Sequence, residues 1–173
     1  MSLRIGSFSD VHLFHANTKT KFIIDNLNRH ISNPAFLATI QLLFLAGDLF
    51  DSGQDYGDDE VHAATMWGNR LLQLCARHGV VVRVLEGTTS HDRKQSKIFE
   101  TLMSVGNYEN LDCKYIDKLS VEYIDSLGIR VLYVPDEVNY DTAITEAQIA
   151  ELLKAEEIEQ VDYACMQIGR AHV

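Results

Sequence analysis

Two hydrophobic rhythms alternate along the chain. Residues 41–46 and 80–85 are nearly continuous apolar runs, as expected of strands covered on both faces. Residues 3–8 read as a shorter buried strand of the same kind. The segments between them carry a helical period. Residues 19–31 predict a helix that stops at Asn33-Pro34. Val61, Ala64, Gly68, Leu71 and Cys75 recur at three- and four-residue steps, and Gly79 supplies the stop. Residues 93–105 also read as helical. Further on, residues 119–124 and 129–134 predict two strands joined by a turn at Ser126-Leu127-Gly128. A helix is expected from Thr145, where Thr145 and Gln148 make a capping box and Ile144 and Ile149 fall at staple positions. Residues 161–166 read as one more strand.

Strands alternating with helices define an α/β class with a largely parallel sheet, at least in the first half. Chemistry in such sheets gathers at the carboxyl ends of strands. Three polar clusters fall there: Asp10 with His12, Asp48 with Asp51, and His91 with Asp92.

Composition narrows the function classes. The 173 residues suit one domain, and 46% hydrophobic with 23% charged residues is ordinary for a soluble globular chain. Twenty-five acidic against fifteen basic residues give a net charge of -10, which argues against a broad basic face for nucleic acid. A phosphate substrate would therefore need positive charge from elsewhere, and metal ions are the evident source. Cys75, Cys113 and Cys165 show no CxxC spacing and read as idle thiols in a reducing cytoplasm. No run approaches the ~18 apolar residues of a membrane span, and the first ten residues do not look like a secretory signal.

Each polar cluster has its own chemistry. In Ser9-Asp10-Val11-His12 a carboxylate and an imidazole two residues apart can turn to one cation, and such oxygen and nitrogen donors suit manganese, iron or zinc. In Gly47-Asp48-Leu49-Phe50-Asp51 the glycine allows a sharp turn after the strand. Asp48 is placed to bridge two metals through its two oxygens, and Asp51 reads as an outer partner or a helix cap. In Gly87-Thr88-Thr89-Ser90-His91-Asp92 the histidine is a candidate general acid held by Asp92. Arg93, Lys94 and Lys97 follow, either steering phosphate or forming a solvated helix face. His15, three residues after His12, is a weaker candidate for substrate contact. Taken singly, each cluster more readily describes a loop turn or a helix cap; the combination is what points to chemistry. His30 and His78 suit helix C-termini.

In this order, strand-DxH, strand-GD and strand-G…HD resemble the calcineurin-like metallophosphoesterase superfamily, with Val134-Pro135-Asp136-Glu137 adding to the likeness. The overall look is closest to the branch of DNA-repair exonucleases, often phage or bacterial. The resemblance implies a four-layer α/β/β/α sandwich and a hydrolase using two divalent ions, Mn2+ with Fe, Zn or Mg as alternatives. It implies that Asp10 and His12 bind the first ion, that Asp48 bridges both, that His91 protonates the leaving oxygen, and that Asp92 orients His91. The substrate implied is DNA or another phosphate ester; a small-molecule phosphatase or phosphodiesterase and a non-catalytic scaffold are the other readings. An ATPase partner subunit belongs to the same implication.

Two departures stand out. Ser90 occupies the position where the family places an asparagine ligand, so Ser90, or a water it holds, is expected to replace that ligand at the second metal. The family's late His and Gly-His-x-His ligands do not follow residues 161–166; Gln167 does. Residues 168–173 read as one frame of a sequencing adapter. The expectation is a phosphoesterase domain over residues 1–166, incomplete at its C-terminus, followed by an artefact over 167–173.

Overall fold

A computed structural model describes residues 2–51, 59–136 and 142–167. Four strands form a parallel sheet in the order β1 (Ile5–Phe8), β2 (Leu42–Ala46), β3 (Val81–Leu85) and β4 (Cys113–Ile116). Connections between parallel neighbours must cross a face of the sheet. These are carried by α1 (Thr20–His30) and α2 (Pro34–Leu37), then α3 (Asp59–His78), then α4 (Ile98–Val105). A second sheet contains β5 (Ser120–Ile124), antiparallel to β6 (Ile129–Val134), which is parallel to β7 (Tyr163–Met166). Helix α5 (Thr142–Ala155) connects the last two strands. The class is mixed α/β with a parallel sheet.

Side chains of β2 and β3 alternate between two cores, as the two-residue period requires. Leu43, Leu45, Val82 and Val84 pack with Leu27, Leu37, Trp67, Leu71, Phe99 and their neighbours from the helices. Leu42, Phe44, Ala46, Val81 and Leu85 pack instead with Ile124, Val131, Tyr133 and Cys165 of the second sheet. A strand sandwiched this way has no solvent face, which is why all five residues of each of these two strands are buried. The exception in chemistry is Arg83, only 2% exposed between the sheets. It reaches Glu122 through Nε at 2.8 Å and Asp112 through Nη1 at 2.8 Å. Tyr133 Oη donates to the same Glu122 carboxylate at 2.9 Å.

Several expected boundaries move. Asn33-Pro34 does more than stop α1: Asn33 Oδ1 accepts the Ala35 N–H at 2.9 Å and opens α2, with Pro34 in its first turn. The expected helix over 93–105 begins only at a 3₁₀ turn, Gln95–Lys97. Arg93 and Lys94 are left-handed, at φ 44° and 63°. Their turn sends the Lys94 N–H to the buried Glu86 carboxylate at 2.6 Å. Helix α5 begins at Thr142, so Thr145 lies inside the first turn rather than at its cap. Strand β4 was absent from the pattern reading because its four residues alternate in exposure and include Lys114. Glu137 and residues 168–173, His172 included, lie outside the described residues. Among those described, no helix is long and apolar enough to cross a membrane.

Candidate metal centre

The carboxyl ends of β1, β2 and β3 lie side by side, because the three strands are parallel and adjacent. Each releases its polar cluster at the same edge. The loops then interlock through their backbones. Asp10 N–H donates to the Gly47 carbonyl at 3.2 Å, His12 N–H to the Asp48 carbonyl at 3.2 Å, and Leu13 N–H to the Leu49 carbonyl at 2.9 Å. Returning, Asp51 N–H donates to the Leu13 carbonyl at 2.8 Å. The buried apolar residues Leu13, Phe14, Leu49 and Phe50 anchor both loops in the helical core.

That interlock holds an uncommon backbone. Asp10, His12, Phe14 and Asp48 are all left-handed, at φ 54°, 52°, 74° and 51°. Residues other than glycine avoid this region, and each such position costs on the order of 1–3 kcal/mol. Gly47, at φ 90°, takes the same hand without a Cβ penalty. Three of these left-handed residues, Asp10, His12 and Asp48, carry an acid or an imidazole and aim it at a common point, while Phe14 packs into the core. One ligand atom each from Asp10, His12 and Asp48 lies within 4.8 Å of the others, and so do atoms of His12, Asp51 and His91.

Asp48 is the most enclosed of these carboxylates, at 5% exposure. Its Oδ1 accepts from the Thr88 N–H at 2.6 Å and from the Thr88 hydroxyl at 2.9 Å. This approach depends on Gly87: a Cβ there would collide with Asp48 N, Asp48 Oδ1 and Asp92 Oδ2. Asp10 accepts from Ser9 Oγ at 2.5 Å. His12 Nδ1 is buried without a hydrogen-bond partner, 3.4 Å from Asp51 Oδ1. The His12 and His91 rings meet edge to face, with centroids 4.7 Å apart.

Asp51, not Asp92, faces His91. Its Oδ1 lies 2.8 Å from His91 Nδ1. The expectation that Asp92 orients its sequence neighbour is therefore corrected. Asp92 turns into the protein, fully buried, and accepts from Phe50 N–H at 2.7 Å, Gly87 N–H at 2.8 Å and Ser96 Oγ at 3.0 Å. It clamps the loops after β2 and β3 together. Burial pushes its pKa up to about 7 against the pull of the Phe50 N–H, and the neighbouring Glu86 pushes it further. Glu86, raised by its own burial, accepts from Tyr115 Oη at 2.8 Å and from the Lys94 N–H.

The remaining expected site residues fall as follows. Ser90 is exposed, and its Oγ reaches Thr88 Oγ1 at 3.2 Å. The hydroxyl that touches Asp48 is Thr88, which sequence reasoning passed over. Its signal was its place directly after Gly87, the one residue able to lie against the Asp48 loop. His15 is half-buried, and its Nδ1 accepts the Asn17 N–H at 3.2 Å. Arg93 is exposed. Gln167 is 5% exposed beyond β7, and a Cβ on Gly47 would lie 2.7 Å from its Cγ. The residue after the last strand thus packs on the turn that carries Asp48.

Among the described residues, no Lys or Arg forms an ion pair with Asp10, Asp48 or Asp51. Convergent carboxylate oxygens with an unpartnered imidazole nitrogen fit a hard-to-borderline divalent cation, of the manganese, iron or zinc kind. No protein-family model matches the chain, and no curated protein matches it.

Proposed function

We propose that the chain is a divalent-cation-dependent phosphoesterase of the calcineurin-like type, acting on phosphodiester bonds such as those of DNA. The observation that carries this reading is the convergence of Asp10, His12 and Asp48 on one point, where no Lys or Arg among the described residues forms an ion pair with Asp10 or Asp48. Four-layer α/β/β/α architecture belongs to the same proposal; the two cores on either side of the parallel sheet support it.

In this reading Asp10, His12 and Asp48 hold the cation. When bound, the cation supplies Lewis-acid charge for a phosphoryl oxygen and lowers the pKa of a water. The chain's own residues do the rest. Asp51 takes the Nδ1 proton of His91 in a hydrogen bond and fixes the ring's tautomer. Proton donation to the leaving oxygen needs the imidazolium form of His91, with Nδ1–H held by Asp51 and a second proton on Nε2; giving up the Nε2 proton leaves the neutral Nδ1–H tautomer. Asp92 keeps both loops in register so that His91 faces the carboxylates. With a net charge of -10, the protein attracts phosphate only after the cation offsets the local carboxylates.

The test compares an aryl phosphodiester, an aryl phosphomonoester and linear DNA, with protein stripped by chelator and resupplied with Mn2+. Turnover of the diester and of DNA ends, abolished by chelator, is the expected result. Monoester turnover alone would move the substrate to small molecules. No turnover of any of the three, with Mn2+ bound, would leave a scaffold.

A further inference from the structure

Beside the proposed centre, three side chains form a group of different donor chemistry. One ligand atom each from His12, Asp51 and His91 lies within 4.8 Å of the others. His91 Nδ1 is 2.8 Å from Asp51 Oδ1, and His12 Nδ1 is 3.4 Å from the same oxygen. His12 Nδ1 is buried and has no hydrogen-bond partner. A four-coordinate zinc ion with bonds of ~2.0–2.1 Å sets its ligand atoms about 3.3 Å apart. The His12–Asp51 separation already matches that spacing, and the Asp51–His91 contact has to open by about half an ångström.

The backbone pins all three residues. His12 N–H donates to the Asp48 carbonyl at 3.2 Å, Asp51 N–H to the Leu13 carbonyl at 2.8 Å, and His91 N–H to the Thr88 carbonyl at 2.9 Å. The side chains of His12, Asp51 and His91 are 27%, 20% and 36% exposed. That opening gives an ion a way in and a water room as the fourth ligand. Donor type then separates the two groups. Asp10, His12 and Asp48 offer two carboxylates and one imidazole, a set that suits manganese. His12, Asp51 and His91 offer two imidazoles and one carboxylate, a set that suits zinc.

We infer that His12, Asp51 and His91 form a zinc-preferring seat, which competes with the proposed centre for His12 and silences His91. A neutral imidazole carries one nitrogen lone pair, so His12 serves one ion at a time. Zn2+ takes the lone pair of His91 Nδ1, and the one proton of that neutral ring moves to Nε2. The imidazolium that proton donation needs then does not form. Asp51 changes from acceptor of the His91 N–H to ligand. The seat stands on its own three side chains. The competition and the silencing rest on the reading of Asp10, His12 and Asp48 as a cation centre with His91 as its acid.

Zn2+ and Mn2+ are titrated separately into the 173-residue chain by calorimetry. Co2+ serves as a coloured substitute for zinc, since four-coordinate Co2+ absorbs visible light strongly and six-coordinate Co2+ weakly. His91→Ala removes a ligand of the zinc seat alone, and Asp10→Asn a ligand of the proposed centre alone. Asp51→Ala serves if His91→Ala does not fold. His91→Ala is expected to lower Zn2+ affinity about a hundredfold, at least what loss of an outer partner costs, to bleach the strong Co2+ band, and to leave Mn2+ affinity unchanged. Asp10→Asn is expected to do the reverse. One equivalent of Zn2+ bound to the wild type is expected to weaken Mn2+ binding about tenfold. Zinc lost in Asp10→Asn but intact in His91→Ala and Asp51→Ala would put it in the proposed centre, which overturns the seat and leaves the centre standing. No Zn2+ or Co2+ bound by the wild type would overturn the seat as well. Zn2+ and Mn2+ bound together at full affinity would overturn the competition. Mn2+ binding that is absent from the wild type, or unchanged in Asp10→Asn, would sink the proposed centre whatever zinc does.

Discussion

Between the two sheets, Glu122 and Asp112 close around Arg83. At the strand ends, Asp10, Asp48 and Asp51 converge with two histidines, and among the described residues no Lys or Arg pairs with them. Both regions gather acids, yet among the described residues only the first pairs them with an Arg or Lys. Burial opposes the charge on Arg83, but its hydrogen bonds to Glu122 and Asp112 outweigh that and raise its pKa. Burial likewise opposes the charge on Glu122, and Arg83 overcomes it, so the Glu122 pKa is lowered. The sheet junction is balanced by the polypeptide alone. In the proposed reading the strand ends are balanced by an added cation.

That contrast gives the largest expected effect to the junction. Arg83→Ala leaves Glu122 with only the Tyr133 hydroxyl and the more distant Lys114; breaking a fully buried pair costs about 3–5 kcal/mol, and with both carboxylates part exposed the expected loss is about 3 kcal/mol. A urea melt should show that loss whether or not Mn2+ is present. If stability fell only in the presence of Mn2+, the junction would not be self-sufficient.

Gly87→Ala comes next. The new Cβ meets backbone and carboxylate atoms of Asp48 and Asp92 rather than a flexible chain end, and such overpacking costs roughly 1–3 kcal/mol. Mn2+ affinity should fall along with stability, because the same contact shapes Asp48. Unchanged Mn2+ binding in a destabilised protein would separate the loop packing from the centre.

Of similar size is the effect of the cation on the wild type. Mn2+ at a hundred times its dissociation constant should add about 2.7 kcal/mol, read as a rise in Tm. Asp10→Asn should abolish most of that rise and leave the melt without Mn2+ unchanged or slightly higher, since it removes one acid from a repulsive group. A cation-free Asp10→Asn protein that melts well below the wild type would show that the acid is structural.

The smallest expected effect is the acid limb of the junction. Because the Glu122 pKa is lowered on folding, its contribution is present above the ordinary carboxylate pKa and lost as pH falls through the folded value. Glu122→Gln should flatten the decline of stability on acidification while lowering stability at neutral pH. Parallel acid profiles for wild type and variant would remove Glu122 from that balance.

The strands that carry the centre were legible because each is a compact apolar run, and their polar ends mark where chemistry can sit. What the pattern did not carry was contact between segments. Asp92 follows His91 in the chain and so looked like its partner, whereas Asp51 comes from the neighbouring strand end. Ser90 sits beside His91 in sequence, whereas Thr88 sits against Asp48 because Gly87 does. Left-handed backbone at Asp10, His12 and Asp48 has only a weak signature in residue type, since Asp and His enter that region more readily than most residues but rarely do so without a loop that requires it. Short β4, with its exposed Lys114, gave too few apolar positions to register.

The hydrogen bonds that build the centre are long in sequence. Thr88 to Asp48 and His91 to Asp51 each span 40 residues, and Phe50 to Asp92 spans 42. Loops of that length close late, after the strands that bring their ends together have paired. A partly folded chain therefore presents only the local pairs, Asp10 with His12 and Asp48 with Asp51, and not the converged set. If the proposed cation binds, its capture reports finished folding: chaperoned or misassembled protein should hold manganese far more weakly until the parallel sheet is whole.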